Sequence, residues 1–484
     1  MERSKPQLVT SGIVGSNGTL GNEMVFSKFN ERTSISLGQF HYETKGFRTN
    51  NDQNHDVLNA FFQHAITSKL NIQAEIRTRS SDLGNLFLNV DEDSAKLPQN
   101  RFRRKIDEDS VRIGARYDLA PNQNVIVSGL YNMREVDNII PLDKFSNDVT
   151  RGKYKGYQTE IQYQFRGHWF NILAGSGIYR TSIDQSTKEI DIFSKGISCC
   201  KLQDYSNDKT NGYVYTNLNF NPSLNATLGF SYDSYRDDQL YIDRFNPKLG
   251  LQWNIVSNLR LRIALIEAIK APLTTNQTIE PTQISGFNQL FDDPNGTKSR
   301  RLGIGLDTHF ENKMFSGFEI SSRDLSTPAF SEKSYTFIDH KENLYYGYLY
   351  GVLHKNWIAK SEVRLEKFSR SQKLAGLHQI DTLSIPIGVD YFNPQGLFAN
   401  LTGTFVHQKV SPHGTKNDGI EKFFLVDASV GYRLPGRRGI FSLEARNIFD
   451  ESFLFQNLNF QTSEPVISRF VPMRTIFARM TLNF

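Results

Sequence analysis

Long apolar runs are missing from this 484-residue chain. No stretch approaches the ~18 consecutive apolar residues that a membrane-spanning helix needs, which excludes a helical membrane protein. It does not exclude a protein that crosses with alternating strands, whose apolar residues never stand together. Apolar residues are scarce in total, 38%, against roughly 45–50% in an ordinary globular domain by a slightly different count. Mean hydropathy is −0.46. Cysteine is confined to the adjacent pair Cys199 and Cys200, with no CxxC spacing to suggest a structural zinc site. The pair reads as part of an extracellular loop, either a vicinal disulfide or two incidental thiols. No GxxxxGK[ST] loop, no HExxH helix and no run of five or more basic residues occurs, so nothing points to a nucleotide, a zinc hydrolase or a nucleic-acid partner. His407 and His413 flank one loop without metal-ligand spacing. Residues 292–296 (DDPNG) lack the spacing of an EF-hand and read as a polar turn. No Ser-His-Asp/Glu arrangement has a spacing that argues for catalysis. The sequence therefore assigns no catalytic, cofactor or metal residue, and an enzyme is not expected.

Aromatics, by contrast, are plentiful: 36 Phe and 20 Tyr in a composition that is 12% aromatic. Few apolar residues but many rings suit a wall one residue thick, apolar outside, polar inside, with aromatic borders. The order of residues agrees. Phe424, Val426, Ala428, Val430 and Tyr432 share one parity, and Asp427, Ser429, Gly431 and Arg433 the other. Phe441, Leu443 and Ala445 alternate with Ser442, Glu444 and Arg446. Ile476, Ala478, Met480, Leu482 and Phe484 alternate with Thr475, Arg479, Thr481 and Asn483, with Phe477 as an exception on the polar parity. The same period of two recurs near Leu70, Val111, Leu249, Leu302 and Val363. A soluble sandwich also alternates, but rarely keeps Arg, Glu and Asp on one face of strand after strand.

Connections alternate in length. Short turns occur at 120–124, 221–223, 256–258, 311–313, 354–356, 393–396 and 435–439. Longer polar stretches lie near 80–108, 136–152, 183–210, 271–298, 325–340, 409–421 and 451–467. The expected fold is an all-β transmembrane antiparallel barrel of about 22 strands in the outer membrane of a Gram-negative bacterium. The first strand is placed near residues 7–14, and 55–67 and 211–220 alternate poorly. The whole of 1–484 reads as one barrel domain. Trp253 and Trp357 stand beside short turns, where a periplasmic aromatic girdle belongs. Phe484 ends an alternating strand, as in the signal read by the barrel assembly machinery; that machinery and outer-membrane lipid are the expected partners. No apolar h-region follows Met1, so the chain reads as the downstream portion of a longer precursor.

These motifs carry a resemblance. VDASVGYRLP at 426–435, FSLEARNIFD at 441–450 and RTIFARMTLNF at 474–484 resemble the last three strands of TonB-dependent receptors. The Asn447-Ile-Phe-Asp450 element looks like that family's N-L-F-D signature. The resemblance covers about the last 60 residues and implies a barrel of about 22 strands. That family's N-terminal plug domain and TonB box have no visible counterpart here. SLGQFHYETKGFR at 36–48 and EPTQISGFNQLFDD at 280–293 look like barrel regions of bacterial proteins that precede the barrel with tetratricopeptide repeats. Some of those export polysaccharide. A periplasmic plug or repeat domain is thus a further expected partner.

The polar parity supplies the candidate site. Lys248, Arg260, Arg262, Asp307, Glu319, Arg323, Glu362, Arg364, Asp427, Arg433, Glu444, Arg446 and Arg479 are expected to line the lumen. One reading makes them cross-strand ion pairs that stiffen the wall; the other has some of them shape the passage of a polar solute or bind a plug. The function expected from these observations is outer-membrane transport of an unidentified polar solute. The alternative is an export pore fed by a periplasmic repeat domain. Long loops folding inward are expected to close a barrel of this width in part.

Overall fold

The structure, a computed structural model, describes residues 6–88, 101–141, 146–191, 197–272, 277–290, 293–311, 313–331, 334–370, 376–413, 419–457 and 469–484. It is almost entirely strand. In chain order the strands are β1 Gln7–Gly15, β2 Thr19–Asn30, β3 Thr33–Thr44, β4 Gln53–Ala65, β5 Leu70–Leu83, β6 Arg103–Ala120, β7 Gln123–Pro141 and β8 Ser146–Arg166. There follow β9 Phe170–Asp191, β10 Ile197–Asn221, β11 Leu224–Asp237, β12 Tyr241–Val256, β13 Leu259–Ile269, β14 Gln283–Ile284, β15 Phe287–Asn288 and β16 Lys298–Phe310. The chain ends with β17 Met314–Ser331, β18 Ser334–His354, β19 Trp357–Arg370, β20 Gly376–Phe392, β21 Leu397–His413, β22 Gly419–Arg433, β23 Gly439–Arg446 and β24 Thr475–Asn483. Apart from the small β14–β15 hairpin, they form one 22-stranded sheet.

Each strand pairs antiparallel with its sequence neighbour, β13 passing directly to β16. The sheet closes where β24 pairs with β1, from Val9↔Asn483 to Gly15↔Phe477. Leu8 and Phe484 complete the seam with backbone bonds of 3.1 and 2.8 Å. A wall in hydrocarbon has no water to satisfy a free edge, so closure is the condition for spanning at all.

The two parities separate as the alternation requires. Ile113, Ile178, Leu251, Ile304, Leu401 and Val430 point outward with their neighbours in an exposed apolar band; Ile113 is 61% and Leu401 56% exposed. Inner positions are polar and largely covered. All three tryptophans, Trp169, Trp253 and Trp357, stand exposed at the short-turn end. Trp169 packs on Phe170 at 4.6 Å and Trp357 on Tyr391 at 4.7 Å. The start of β1 and the end of β24 lie at this end too.

Three stretches expected to be long loops, 136–152, 183–210 and 325–340, are instead carried mostly by paired strands. β9 and β10 reach 22 and 25 residues, far more than the 9–11 that cross a bilayer. The reason is chemical. Beyond the membrane both faces meet water, so the apolar stripe ends and the sequence reads as loop. Cross-strand ion pairs such as Arg151–Asp137 (2.7 Å), Lys153–Glu135 (3.0 Å) and Arg180–Asp208 (2.7 Å) sit on these extensions. The weakly alternating stretches form β4 and the last part of β10. In β10, Tyr213 and Tyr215 put rings on the inner face, where interior chain covers them.

Phe477, the exception on the polar parity, fills space left by Gly15. A Cβ at Gly15 would run into its ring, and Arg446 lies 5.7 Å over it. Parity predicts opposite outcomes for two arginines introduced close together. Leu401→Arg faces lipid near mid-span, at a cost of about 2–4 kcal/mol. Ser429→Arg faces inward directly across from Glu444. Heat-modifiability gels should show assembly impaired by Leu401→Arg and retained by Ser429→Arg; equal behaviour would refute the assigned faces.

Candidate functional site

The connection from β13 to β16 does not stay at the rim. Its neck is pinched by backbone bonds between Lys270 and Thr297 (2.9 Å) and Gly296 and Lys270 (3.0 Å). Beyond the neck, residues 277–288 run down the inner wall. Gln158 and Gln162 on β8 donate their amides to the carbonyls of Gln277 (2.7 Å) and Ile279 (2.6 Å). Ile161, next to Gln162, is exposed on the outer face, so this contact lies at the depth of the apolar band.

Two carboxylates fix the segment. Glu160, 1% exposed, accepts from the Thr278 hydroxyl, the Ile279 N–H (3.2 Å), Tyr179 (2.8 Å) and Gln158 (2.7 Å). Glu280 reaches the other way and accepts from Lys248 (2.5 Å), Tyr215 (2.7 Å) and Asn211 (2.7 Å). The segment then forms the β14–β15 hairpin. Its Phe287 enters a recess that exists because β16 carries glycine: a Cβ on Gly303 would meet the ring. The guanidiniums of Arg262 and Arg301 lie 5.2 and 5.9 Å from the ring centre. Ile284 and Phe287 pack with Tyr213, Tyr215, Ala264 and Ile266.

The segment stands between two cavities. One of about 350 Å³ is lined by Gln277, Thr278 and Ile279 together with carboxamides such as Gln63, Asn71, Gln73 and Gln158. The other, about 530 Å³, is lined by Phe287 and charged groups including Arg301, Glu319, Arg323, Glu342 and Arg364.

The thirteen residues singled out from the sequence all stand on the parity opposite the apolar band, but they do not converge on one point. Lys248 is buried against Glu280. Arg262 joins Asp307 (2.6 Å) and Glu319 (3.4 Å), and Tyr348 donates to Asp307 (3.0 Å). Arg323 pairs with Asp293 and with Glu342 (3.0 Å). Tyr350 donates to Glu362 (2.6 Å), and Arg364 pairs with Glu366 (2.9 Å). Arg446 pairs with Glu444 (2.5 Å). Arg260 bonds Asn254 (2.9 Å). Among the described residues Arg260, Arg433 and Arg479 form no ion pair. Asp427 accepts the Asn447 N–H (2.8 Å), in the turn that ends β23. Asn447, at φ 49°, holds that turn through Glu451 and Val471, and Asp450 accepts from Arg474 (2.7 Å). The Asn447-Ile-Phe-Asp450 element is thus a strand terminator.

Sequence reasoning missed Glu160, Glu280 and Phe287. The available signal was the rings of Tyr213 and Tyr215 on a parity that water alone would have kept polar. Cys199 and Cys200 lie on β10, not in a loop, across from Glu189 and Lys188; their side chains, that of His413, and Asp292 lie outside the described residues. Asp293, from the expected polar turn, pairs with Arg323.

The sequence profile described as "TonB dependent receptor-like, beta-barrel" matches residues 25–321, more than half of the chain. The chain belongs to the TonB-dependent receptor-like β-barrel family. The C-terminal motifs lie outside that span, so the match is independent of them. Proteins of this family reside in the Gram-negative outer membrane, as the exposed apolar band requires of this one. Solved structures share the fold across nearly the full chain. A copper transporter superposes with TM-score 0.75 at 12% identity, covering 99% of this chain and 80% of its own. The ferric citrate transporter gives TM-score 0.75 at 12%, covering 99% and 78%. The ferric yersiniabactin uptake receptor of Yersinia pestis gives TM-score 0.74 at 10%, covering 100% and 81%. No curated protein sequence gives a significant match.

On the outer rim of this receptor-like barrel one histidine has an altered acidity. At the level of His340 the outward residues are Arg300, Asp324 and Lys341, cross-strand neighbours in register, so the apolar band has ended. His340 itself is buried, 5.7 Å from the Phe368 ring and opposite Arg370. Burial, and then the Arg370 charge, hold its pKa down to about 4, with Asp339 opposing. The neutral ring therefore stabilises the rim fully above the unfolded value near 6.5, and that contribution falls as pH drops from there towards 4. NMR titration should find His340 neutral from pH 5 to 8, and His340→Gln should lessen the loss of rim stability in acid. A midpoint near 6.5 would contradict the burial.

Proposed function

We propose that this barrel takes up a polar solute of the metal-chelate class through the outer membrane, acting as a transporter and not as an enzyme. The observation that carries the reading is the family match, supported by fold neighbours named as a copper transporter, a ferric citrate transporter and a ferric yersiniabactin uptake receptor. The last of these names favours uptake over export. On this reading residues 1–484 act as one barrel domain, and the inner face lines the solute path. Charges compensated within the wall, such as Arg262 with Asp307 and Glu319, keep that path hydrated without trapping ions of one sign. The outer face binds lipid, and Phe484 offers an exposed terminal aromatic to the assembly machinery.

Two measurements test this. Isothermal titration of the detergent-solubilised chain with ferric citrate, a ferric catecholate and a copper chelate should give saturable binding for one of them. No binding, together with indiscriminate passage of small sugars in liposome swelling, would make it a general pore. In a signal-bearing form, Phe484→Ser keeps both backbone bonds to Leu8 but removes the ring. Outer-membrane abundance should fall with synthesis unchanged, and unaltered abundance would remove Phe484 from the assembly role.

A further inference from the structure

Residues 277–280 are held against the inner wall by polar contacts, made by groups that water could also serve, and Ile284 and Phe287 follow as an apolar anchor. The wall reads the segment as an extended peptide. It donates to the carbonyls of residues 277 and 279, accepts the N–H of residue 279 and the hydroxyl of Thr278, and receives the Glu280 carboxylate in a pocket of Lys248, Tyr215 and Asn211. Such specific seating fixes register. It adds little net stability, because each bond largely replaces one that water would make and a buried ion pair barely offsets its own desolvation.

The seat also has water-sized space on either side, the cavities of about 350 and 530 Å³. As the segment leaves, Glu160, which lines the smaller cavity, can rehydrate at once. The apolar anchor is small, Ile284 and Phe287 against the rings of Tyr213 and Tyr215 and the side chains of Ala264 and Ile266. The neck at Lys270, Gly296 and Thr297 is tied to the rim independently of the seat, so the tip can move while the barrel stays closed. A segment with polar seating, a small apolar anchor and a separate tether has the makings of a two-state element.

We propose that residues 277–288 form a displaceable stopper, latched inside the barrel by Glu160 and by Glu280 against Lys248, whose withdrawal opens the solute path. The proposal rests on the transport reading given above. Removing the Glu280 charge leaves Lys248 buried without its counterion, which favours the withdrawn state. The recess supplies a second handle. A Cβ at Gly250 would lie 3.4 Å from that of Ser285, close enough for a disulfide after a small shift of Ile284.

The test is single-channel recording of the full 484-residue chain in planar bilayers, with folding of each variant checked by heat modifiability. Glu280→Gln should raise the open fraction roughly tenfold or more over the unaltered chain, and Glu160→Gln should act in the same direction. In a C199S/C200S background, the pair G250C/S285C should hold the channel shut when oxidised, even with Glu280→Gln present, and release it on reduction. A chain with residues 277–290 replaced by a short Gly/Ser linker separates the two readings. If that chain conducts as a large pore while both Glu variants match the unaltered chain, or oxidised and reduced locks conduct alike, the stopper is a fixed constriction and the proposal fails. If the replaced chain does not conduct either, the transport reading itself falls.

Discussion

Everything in this molecule follows from the need to pair backbone N–H and C=O groups where no water can reach them. One free edge in hydrocarbon would leave a row of unsatisfied groups, so β24 must meet β1 and the sheet must close. Closure gives every strand one face to lipid and one to the interior. That single division explains the low apolar content, because only alternate residues meet lipid. It explains the abundance of aromatics at the short-turn border, and the clustering of charge on one parity. It also explains how barrels sharing about one residue in eight superpose over nearly their whole length. The wall demands a class of residue at each position, seldom a particular one.

Closure then creates a second problem. A ring of 22 strands encloses more space than its own side chains can fill. The interior is managed locally, in two ways. Over β13 to β19 and at β23, arginines are matched with carboxylates on the same or adjacent strands, so charge is compensated without a dry core. Between β8 and β16 a rim connection enters the barrel and is held by Glu160 and Glu280. Apolar residues on the inner parity mark where interior chain lies against the wall. Tyr213 and Tyr215 face residues 277–288, and Phe423 and Leu425 face Phe453, Phe455 and Phe470. Apart from Phe477, which fills the space left by Gly15, these violations of the alternation mark inward-folded chain.

The alternation made the strand number, the outward band and the short-turn side legible in the sequence, because period two records which of two solvents each residue meets. Phe477 was legible only as an anomaly; its cause is the absent side chain of Gly15, far away in sequence and adjacent across the seam. The rim extensions of β9 and β10 were illegible for the opposite reason. With water on both faces the period vanishes, although backbone pairing continues. What tertiary structure alone decided was partnership. Nothing local ties Glu280 to Lys248, Glu160 to Thr278, or Phe287 to the recess at Gly303. Those contacts join residues up to 118 positions apart, and they exist because a closed wall brings distant strands around one interior. The sequence determined which face each residue occupies, since that depends only on its neighbours along the strand. The contents of the interior depend on which loop reaches it, and a one-dimensional pattern carries no record of that.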